Sequence, residues 1–134
     1  MKKIQIYSRS KINLNLKVLN FDDNFRKHKL KSKVSILKLC DEIEIIKSKS
    51  LNINYYDLKK KIYLNDDIIK KTVSYFDNKY KKKSYFNITV KKTIPVGYGL
   101  GGGSSNAASI LKFLYSYHKI NSKNFYEDAP NIGS

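Results

Sequence analysis

Cysteine, tryptophan and arginine are scarce in this chain of 134 residues. It has one cysteine, Cys40, no tryptophan, and only two arginines, Arg9 and Arg26. A single cysteine excludes an intrachain disulfide and a multi-cysteine metal site, and we expect Cys40 to be a small buried apolar residue. No apolar run approaches the roughly 20 residues that span a membrane, and the N-terminus lacks the apolar core of a secretory signal. The sequence therefore predicts a cytoplasmic protein with no membrane partner.

Acidic residues are also few, with 11 against 27 lysines and arginines, which gives a net charge of +16. Such a charge raises the hypothesis of nucleic-acid binding. Arginine is the preferred side chain for bidentate contacts with bases and phosphates, yet 27 − 2 = 25 of the basic residues are lysines. Lysine, asparagine, isoleucine and tyrosine share AT-rich codons, so mutational bias explains the charge without selection for nucleic acid. The positive field still attracts anionic small molecules such as nucleotides.

The hydrophobic pattern predicts an α+β domain. Apolar residues alternate with polar ones in the first half of the chain and recur at helical spacing in the second half. Asp66 and Asp67 suit the N-terminus of the first predicted helix, where carboxylates interact favourably with the helix dipole. The predicted strands cover residues 2–7, 11–18, 30–39, 42–46, 51–56, 61–64 and 85–90, with a loop over 20–29, and the predicted helices cover residues 66–78 and 107–117 and a short segment after residue 122.

Five of the six glycines lie within residues 97–103, between a predicted strand and the pair Ser104-Ser105, which a helix follows. Glycines let main-chain N–H groups approach a ligand, and a helix N-terminus adds unpaired N–H groups and partial positive charge. This order favours a phosphate-binding loop in which the serines cap the helix or bond phosphate oxygens. The segment has neither the Gly-Lys-Ser/Thr of a Walker A loop nor the later strand-borne acid of a dinucleotide fingerprint. A flexible turn before a helix is the alternative interpretation.

The glycine-rich segment resembles the phosphate loop of the GHMP kinases, a family that includes galactokinase, homoserine kinase, mevalonate kinase and phosphomevalonate kinase. The matching run is Pro95-Val96-Gly97-Tyr98-Gly99-Leu100-Gly101-Gly102-Gly103-Ser104-Ser105-Asn106-Ala107-Ala108. The other similar segments are Ser10-Lys11-Ile12-Asn13-Leu14-Asn15-Leu16, His28 to Leu30, Leu39-Cys40-Asp41-Glu42-Ile43, Asp67-Ile68-Ile69-Lys70-Lys71 and Ala129-Pro130-Asn131-Ile132-Gly133-Ser134. The triple glycine and the Lys-Ile-Asn-Leu strand are most similar to one branch of the family, whose substrate is a cytidine-diphosphate-linked methylerythritol.

The resemblance implies the fold of the GHMP kinase N-terminal domain over residues 1–134, a mixed sheet with helices on one side. It implies transfer of a phosphoryl group from ATP, with Mg²⁺, to the 2-hydroxyl of that substrate in the non-mevalonate route to isoprenoid precursors. In the family the catalytic aspartate follows the stretch that residues 129–134 resemble, and a C-terminal domain comes after it. We therefore expect these 134 residues to match the N-terminal, ATP-binding half of such a kinase and to show no turnover alone.

The resemblance also implies functions for individual residues. Lys11 matches the active-site lysine, a cation that orients the acceptor and stabilises developing negative charge. Asn13 matches a substrate-contacting position, and His28 matches the position that reads the cytosine. His118 matches nothing and is expected at the surface. The residues expected to hold the ATP phosphates are Pro95, Gly97, Gly99, Leu100, Gly101, Gly102, Gly103, Ser104 and Ser105.

Two alternative functions remain open at the level of sequence. The first is another GHMP kinase, of the homoserine or mevalonate type. The second is a non-enzymatic RNA-binding domain, because a ribosomal-protein domain shares the fold class and the charge is +16. This second alternative gives no reason for five glycines in one loop. The sequence assigns no metal ligand and no oligomeric state.

Overall fold

The computed structural model describes residues 3–22, 27–64, 66–94 and 102–132, with the main chain alone for residues 10–39. Within these ranges the elements are, in chain order, β1 (Ile4–Asp22), β2 (Lys27–Lys47), β3 (Asn52–Asp57), β4 (Lys60–Ile62), α1 (Ile68–Tyr80), β5 (Phe86–Lys92), α2 (Gly102–His118) and α3 (Phe125–Asp128). Short 3₁₀ turns, Ser122–Asn124 and Ala129–Asn131, lie on either side of α3. No helix of the described ranges has the length and apolar character needed to cross a membrane.

The described strands form a mixed sheet in the order β1-β2-β5-β3-β4. β1 pairs antiparallel with β2, from Ile4 opposite Ile45 to Asp22 opposite Lys27, and β2 pairs antiparallel with β5. β3 lies parallel to β5, and β3 and β4 form an antiparallel hairpin. Parallel neighbours require a crossover connection, which α1 provides between β3 and β5. The predicted α+β class is confirmed.

One face of the sheet packs against α1 and α2. Alternation places every second residue of β5, and of β2 from residue 41 to residue 45, on this face, and the helices add residues three and four apart. The ring of Phe76 in α1 packs against those of Tyr80 and Tyr115, with centroids 4.8 and 5.7 Å away. The buried core consists of Ile43, Ile45, Tyr55, Ile69, Val73, Phe76, Phe86, Ile88, Val90, Ile110, Leu111, Leu114, Tyr115 and Ile132.

The first two strands are longer than the sequence predicts. β1 continues to Asp22 and β2 begins at Lys27, so the loop predicted over residues 20–29 is too long. β2 also runs through Asp41 without interruption. Pairing between two neighbouring strands satisfies the main chain even where side chains are polar, and this tertiary effect overrides the local turn signals. Cys40 is partly exposed rather than buried.

Both long helices also differ from prediction at their ends. In α1, Asp67 is the N-cap and accepts the Lys70 N–H at 3.0 Å, as a carboxylate at this position is expected to do, and the helix runs to Tyr80, two residues past the predicted end. α2 begins at Gly102, five residues before the predicted start at residue 107. Gly102, Gly103 and both serines therefore lie inside the helix, not in a loop before it.

Candidate functional site

The N-terminal turn of α2 lies against β1. Ser105 Oγ donates a hydrogen bond to the main-chain carbonyl of Arg9 at 2.8 Å and accepts one from Ser8 Oγ at 2.8 Å. Ser8 is buried, so water does not compete freely for the second bond. These two bonds hold the start of the helix beside β1, at a point two residues before Lys11.

The same turn is partly exposed to solvent. Gly103 and Ser104 are exposed, and a helix leaves its first four N–H groups without internal partners at the positive end of its dipole. A Cβ added at Gly103 would meet Ile68 Cγ2 at 4.0 Å, an ordinary van der Waals distance. Packing within the described residues therefore does not require glycine at this position, whereas close approach of an anion to the main chain does favour it.

A buried carboxylate, Asp41 of β2, is hydrogen-bonded to Asn106, the residue that follows this turn in α2. Its Oδ1 accepts the N–H groups of Thr93 at 2.7 Å and Ile94 at 2.9 Å. Its Oδ2 accepts from Lys92 Nζ at 2.5 Å and from Asn106 Nδ2 at 2.9 Å. Burial raises the pKa of Asp41, but the hydrogen bonds from Ile94, Lys92, Asn106 and Thr93 outweigh burial and hold the pKa below its usual value. The carboxylate is therefore ionised at neutral pH and joins the end of β5 to the start of α2.

A small apolar cavity of about 150 Å³ adjoins the start of α2. Ligand pockets usually measure roughly 300–1,000 Å³, so this cavity can hold only part of a small ligand. Its lining residues are Ile68, Ser104, Ala107, Ala108, Leu111, Phe125, Ala129 and Ile132.

The structure brings part of the predicted site together. Gly102, Gly103, Ser104 and Ser105 form the first turn of α2, the glycine turn. Ser105 bonds to the carbonyl of Arg9, and Lys11 follows Arg9 by two residues. The main chain of Lys11 therefore lies close to the glycine turn. The predicted residues outside the described ranges are Pro95, Gly97, Gly99, Leu100 and Gly101.

The two predicted substrate residues occupy different places on the β1–β2 ribbon. Asn13 is two residues from Lys11, whereas His28 pairs with Phe21, which is 21 − 11 = 10 residues from Lys11. Ten residues of extended strand span about 33 Å at 3.3 Å each. The strand pairing therefore places Asn13 near the glycine turn and His28 towards the other end of the ribbon. The register shifts that interrupt this pairing are typical of positions where a ribbon bends.

The buried network around Asp41 is absent from the sequence-based prediction. Periodicity alone predicts a strand break at Asp41, yet this residue alternates with Ile43 and Ile45 and shares their core-facing side. A carboxylate on that side must find hydrogen-bond donors, because an unpaired buried charge is costly. The alternation is the signal that could have identified Asp41, whereas nothing local identifies Lys92 or Asn106 as its partners.

His118 is half-buried, so its predicted place at the surface is wrong. Its Nε2 lies 3.0 Å from Ser84 Oγ, and its ring stacks on Phe76 with 5.4 Å between centroids. Ser84 Oγ donates in turn to Asp77 at 2.6 Å. Burial lowers the pKa of His118, so the neutral ring predominates at pH 7. This cluster lies at the opposite end of α2 from the glycine turn.

The sequence is similar to known proteins over most of its length. The family model described as GHMP kinases N terminal domain matches residues 67–133, which is half of the chain. The chain is 34% identical over 134 residues to 4-diphosphocytidyl-2-C-methyl-D-erythritol kinase of Ureaplasma parvum, covering 98% of this chain and 51% of that protein. It is 34% identical over 128 residues to the kinase of the same name from Thermosipho africanus, covering 93% of this chain and 44% of that protein.

The fold is likewise similar to solved structures. A crystal structure of 4-(cytidine 5'-diphospho)-2C-methyl-D-erythritol kinase superposes with a TM-score of 0.76 at 23% identity, covering 98% of this chain and 46% of that one. The chain thus spans about half the length of the curated relatives it matches. The family match, its extent and the shared mixed-sheet architecture lead to the conclusion that the chain belongs to the GHMP kinases, as their N-terminal domain.

Proposed function

We propose that this chain forms the ATP-binding half of a kinase that phosphorylates the 2-hydroxyl of 4-diphosphocytidyl-2-C-methyl-D-erythritol, on the route to isoprenoid precursors. The observation that carries the proposal is the first turn of α2. Gly103 and Ser104 are exposed at a helix N-terminus, where the first N–H groups lack helical partners and can bind an anion, and Ser105 holds the turn beside β1. The names of the relatives support the same substrate for this chain.

The proposed site works by positioning and by neutralising charge, which phosphoryl transfer needs more than covalent chemistry by the protein. The N–H groups of Gly102, Gly103 and Ser104 bind phosphate oxygens, and the helix dipole offsets their negative charge. Lys11 orients the acceptor hydroxyl and stabilises the charge that develops during transfer. The other residues of the phosphate site in this proposal are Pro95, Gly97, Gly99, Leu100, Gly101 and Ser105.

The substrate side of the proposal rests on the β1–β2 ribbon. Asn13, near Lys11 along β1, contacts the acceptor. His28, further along the ribbon, binds the cytosine, since a neutral imidazole offers both a donor and an acceptor. Ten residues of extended strand are longer than a nucleoside diphosphate joined to a four-carbon alcohol, so in this proposal the ribbon bends at its register shifts and brings both positions to one substrate.

Magnesium enters this proposal together with ATP. Among the side chains that the structure describes, no three histidine, cysteine, aspartate or glutamate residues form a group that could hold a metal ion. Mg²⁺ often binds through substrate phosphates, with only one or two carboxylates and several waters. We therefore assign it to the phosphates of bound ATP and name no side-chain ligand.

Calorimetric titration with nucleotides tests the proposal. At about 0.15 M salt with Mg²⁺, the chain should bind a non-hydrolysable ATP analogue at one saturable site. Adenosine, which lacks the phosphates, should bind far more weakly. Cytidine diphosphate should bind without displacing the analogue, whereas homoserine and mevalonate should not bind. Equal affinity for adenosine and the ATP analogue would contradict a phosphate site. Salt-sensitive binding of RNA without any binding of the analogue would favour an RNA-binding domain.

A further inference from the structure

The glycine-rich segment is bracketed by hydrogen bonds to one carboxylate. Asp41 accepts the N–H groups of Thr93 and Ile94, which follow the last residue of β5, and the side-chain NH₂ of Asn106, the fifth residue of α2. Only the NH₂ group of this amide can donate to a carboxylate, so the amide orientation is fixed. The end of β5 and the start of α2 therefore meet at a single buried charge.

We propose that Asp41 is a positioning residue of the phosphate site. Because it is fully buried, it does not touch the nucleotide. It joins the end of β5 to the start of α2, so the first N–H groups of α2 are held at the phosphate site before the nucleotide arrives. This inference rests on the proposed ATP-binding function. A helix start that occupies this position for a fraction of the time gives a Kd raised by the inverse of that fraction.

Charge and positioning predict opposite effects of removing this carboxylate. Lys92 pairs with Asp41 at 2.5 Å and its side chain is only 8% exposed. Asp41→Asn deletes one negative charge and leaves this lysine unpaired, so electrostatics alone predicts tighter binding of an anionic nucleotide. Positioning predicts weaker binding, because the new amide NH₂ faces groups that are themselves donors and cannot hold the end of β5 to the start of α2. The direction of the change in affinity therefore distinguishes the two effects.

Asp128 offers a matched control elsewhere in the fold. It is also fully buried and also accepts four hydrogen bonds, from Tyr75, Lys79, Tyr80 and Tyr115. Tyr115 lies 115 − 102 = 13 residues along α2 from its first residue, or about 20 Å at 1.5 Å per residue. Asp128→Asn thus disturbs a comparable buried network without touching either end of the glycine-rich segment.

The test compares affinity with stability in wild-type chain and variants. Each protein is titrated with the ATP analogue at a temperature where circular dichroism shows it folded, and urea unfolding measures its stability. Both carboxylate variants should lose stability, but the Kd should rise about tenfold or more in Asp41→Asn and less than about twofold in Asp128→Asn. Asn106→Ala keeps the Asp41–Lys92 pair and releases only α2, and its Kd should rise about fivefold.

Amide hydrogen exchange provides a second readout, which a general loss of stability would not reproduce. Exchange at Thr93 and Ile94 should accelerate in Asp41→Asn by more than its lower global stability explains, and should follow global stability alone in Asp128→Asn. An unchanged or lower Kd in Asp41→Asn, or an equal rise in both carboxylate variants, overturns the inference.

The two failures can be told apart. Absence of binding by the wild-type chain overturns the proposed function and this inference with it, whereas wild-type binding with unaltered affinity in the variants overturns the inference alone. If Asp41→Asn does not fold, Asn106→Ala decides the question, since an unchanged Kd in that variant overturns the inference.

Discussion

Replacing Gly103 by alanine should stabilise the chain and weaken its binding of ATP. Gly103 is helical, and a Cβ there would meet Ile68 at an ordinary 4.0 Å. Glycine-to-alanine changes at such compatible sites gain about 0.4–1 kcal/mol. The added methyl group also enters the space beside the N–H groups that we propose for the phosphates. Loss of one charge-assisted hydrogen bond, about 1.5–3 kcal/mol, corresponds to an affinity roughly 10- to 100-fold lower.

Two assays separate these opposite effects. Urea unfolding followed by circular dichroism measures the free energy of unfolding, and titration with the ATP analogue measures affinity. Ser116→Ala is the control, because Ser116 is exposed near the far end of the same helix. It should gain up to about 0.5 kcal/mol from helix propensity with no change in affinity. Unchanged affinity in Gly103→Ala would refute the reasoning that glycine is present there to admit phosphate.

Three further predictions concern buried and hydrogen-bonded side chains of the fold. Tyr115→Phe removes a hydrogen bond to buried Asp128 and should cost about 1.5–3 kcal/mol in urea unfolding, whereas exposed Tyr126→Phe should change stability by less than about 0.5 kcal/mol. Equal effects of these two substitutions would show that the buried network contributes nothing. Because burial lowers the pKa of His118, the unfolded chain binds more protons between that pKa and about 6.5, so the free energy of unfolding should fall as the pH drops from 7 to 5. His118→Gln should reduce this pH dependence, and an identical slope in the variant would contradict the assignment. Ser105→Ala breaks both hydrogen bonds to β1 and should cost about 1–2 kcal/mol and severalfold in ATP-analogue affinity, while unaltered values of both would show that these bonds do not hold the turn.

Burial explains why the sheet and the main helices were predictable. Every second residue around Ile43 and Ile45 faces the helices, and Ile110, Leu111 and Leu114 recur at helical spacing. The start of α2 was not predictable in this way, because glycine and serine carry no apolar signal and have a weaker intrinsic helix preference than alanine. Tertiary hydrogen bonds made by Ser105 support the helix there, and such bonds leave no local pattern.

Two parts of the candidate site, the glycine turn and the network around Asp41, differ in the same way. The turn for which we propose phosphate binding could be proposed from the sequence, because its glycines and serines are contiguous. The network around Asp41 was not, because its partners lie 51 to 65 residues further along the chain, from Lys92 to Asn106. Periodicity can indicate that a carboxylate faces the core, but the identity of its distant donors follows only from the folded chain.

The account's central claim is that the first main-chain N–H groups of α2 bind the phosphates of ATP. The most direct measurement is a ¹H–¹⁵N NMR titration of the chain with the ATP analogue and, separately, with adenosine. The account predicts that the amide resonances of Gly102, Gly103 and Ser104 shift strongly with the triphosphate and very little with adenosine. Binding of the analogue that leaves these three resonances in place would contradict it.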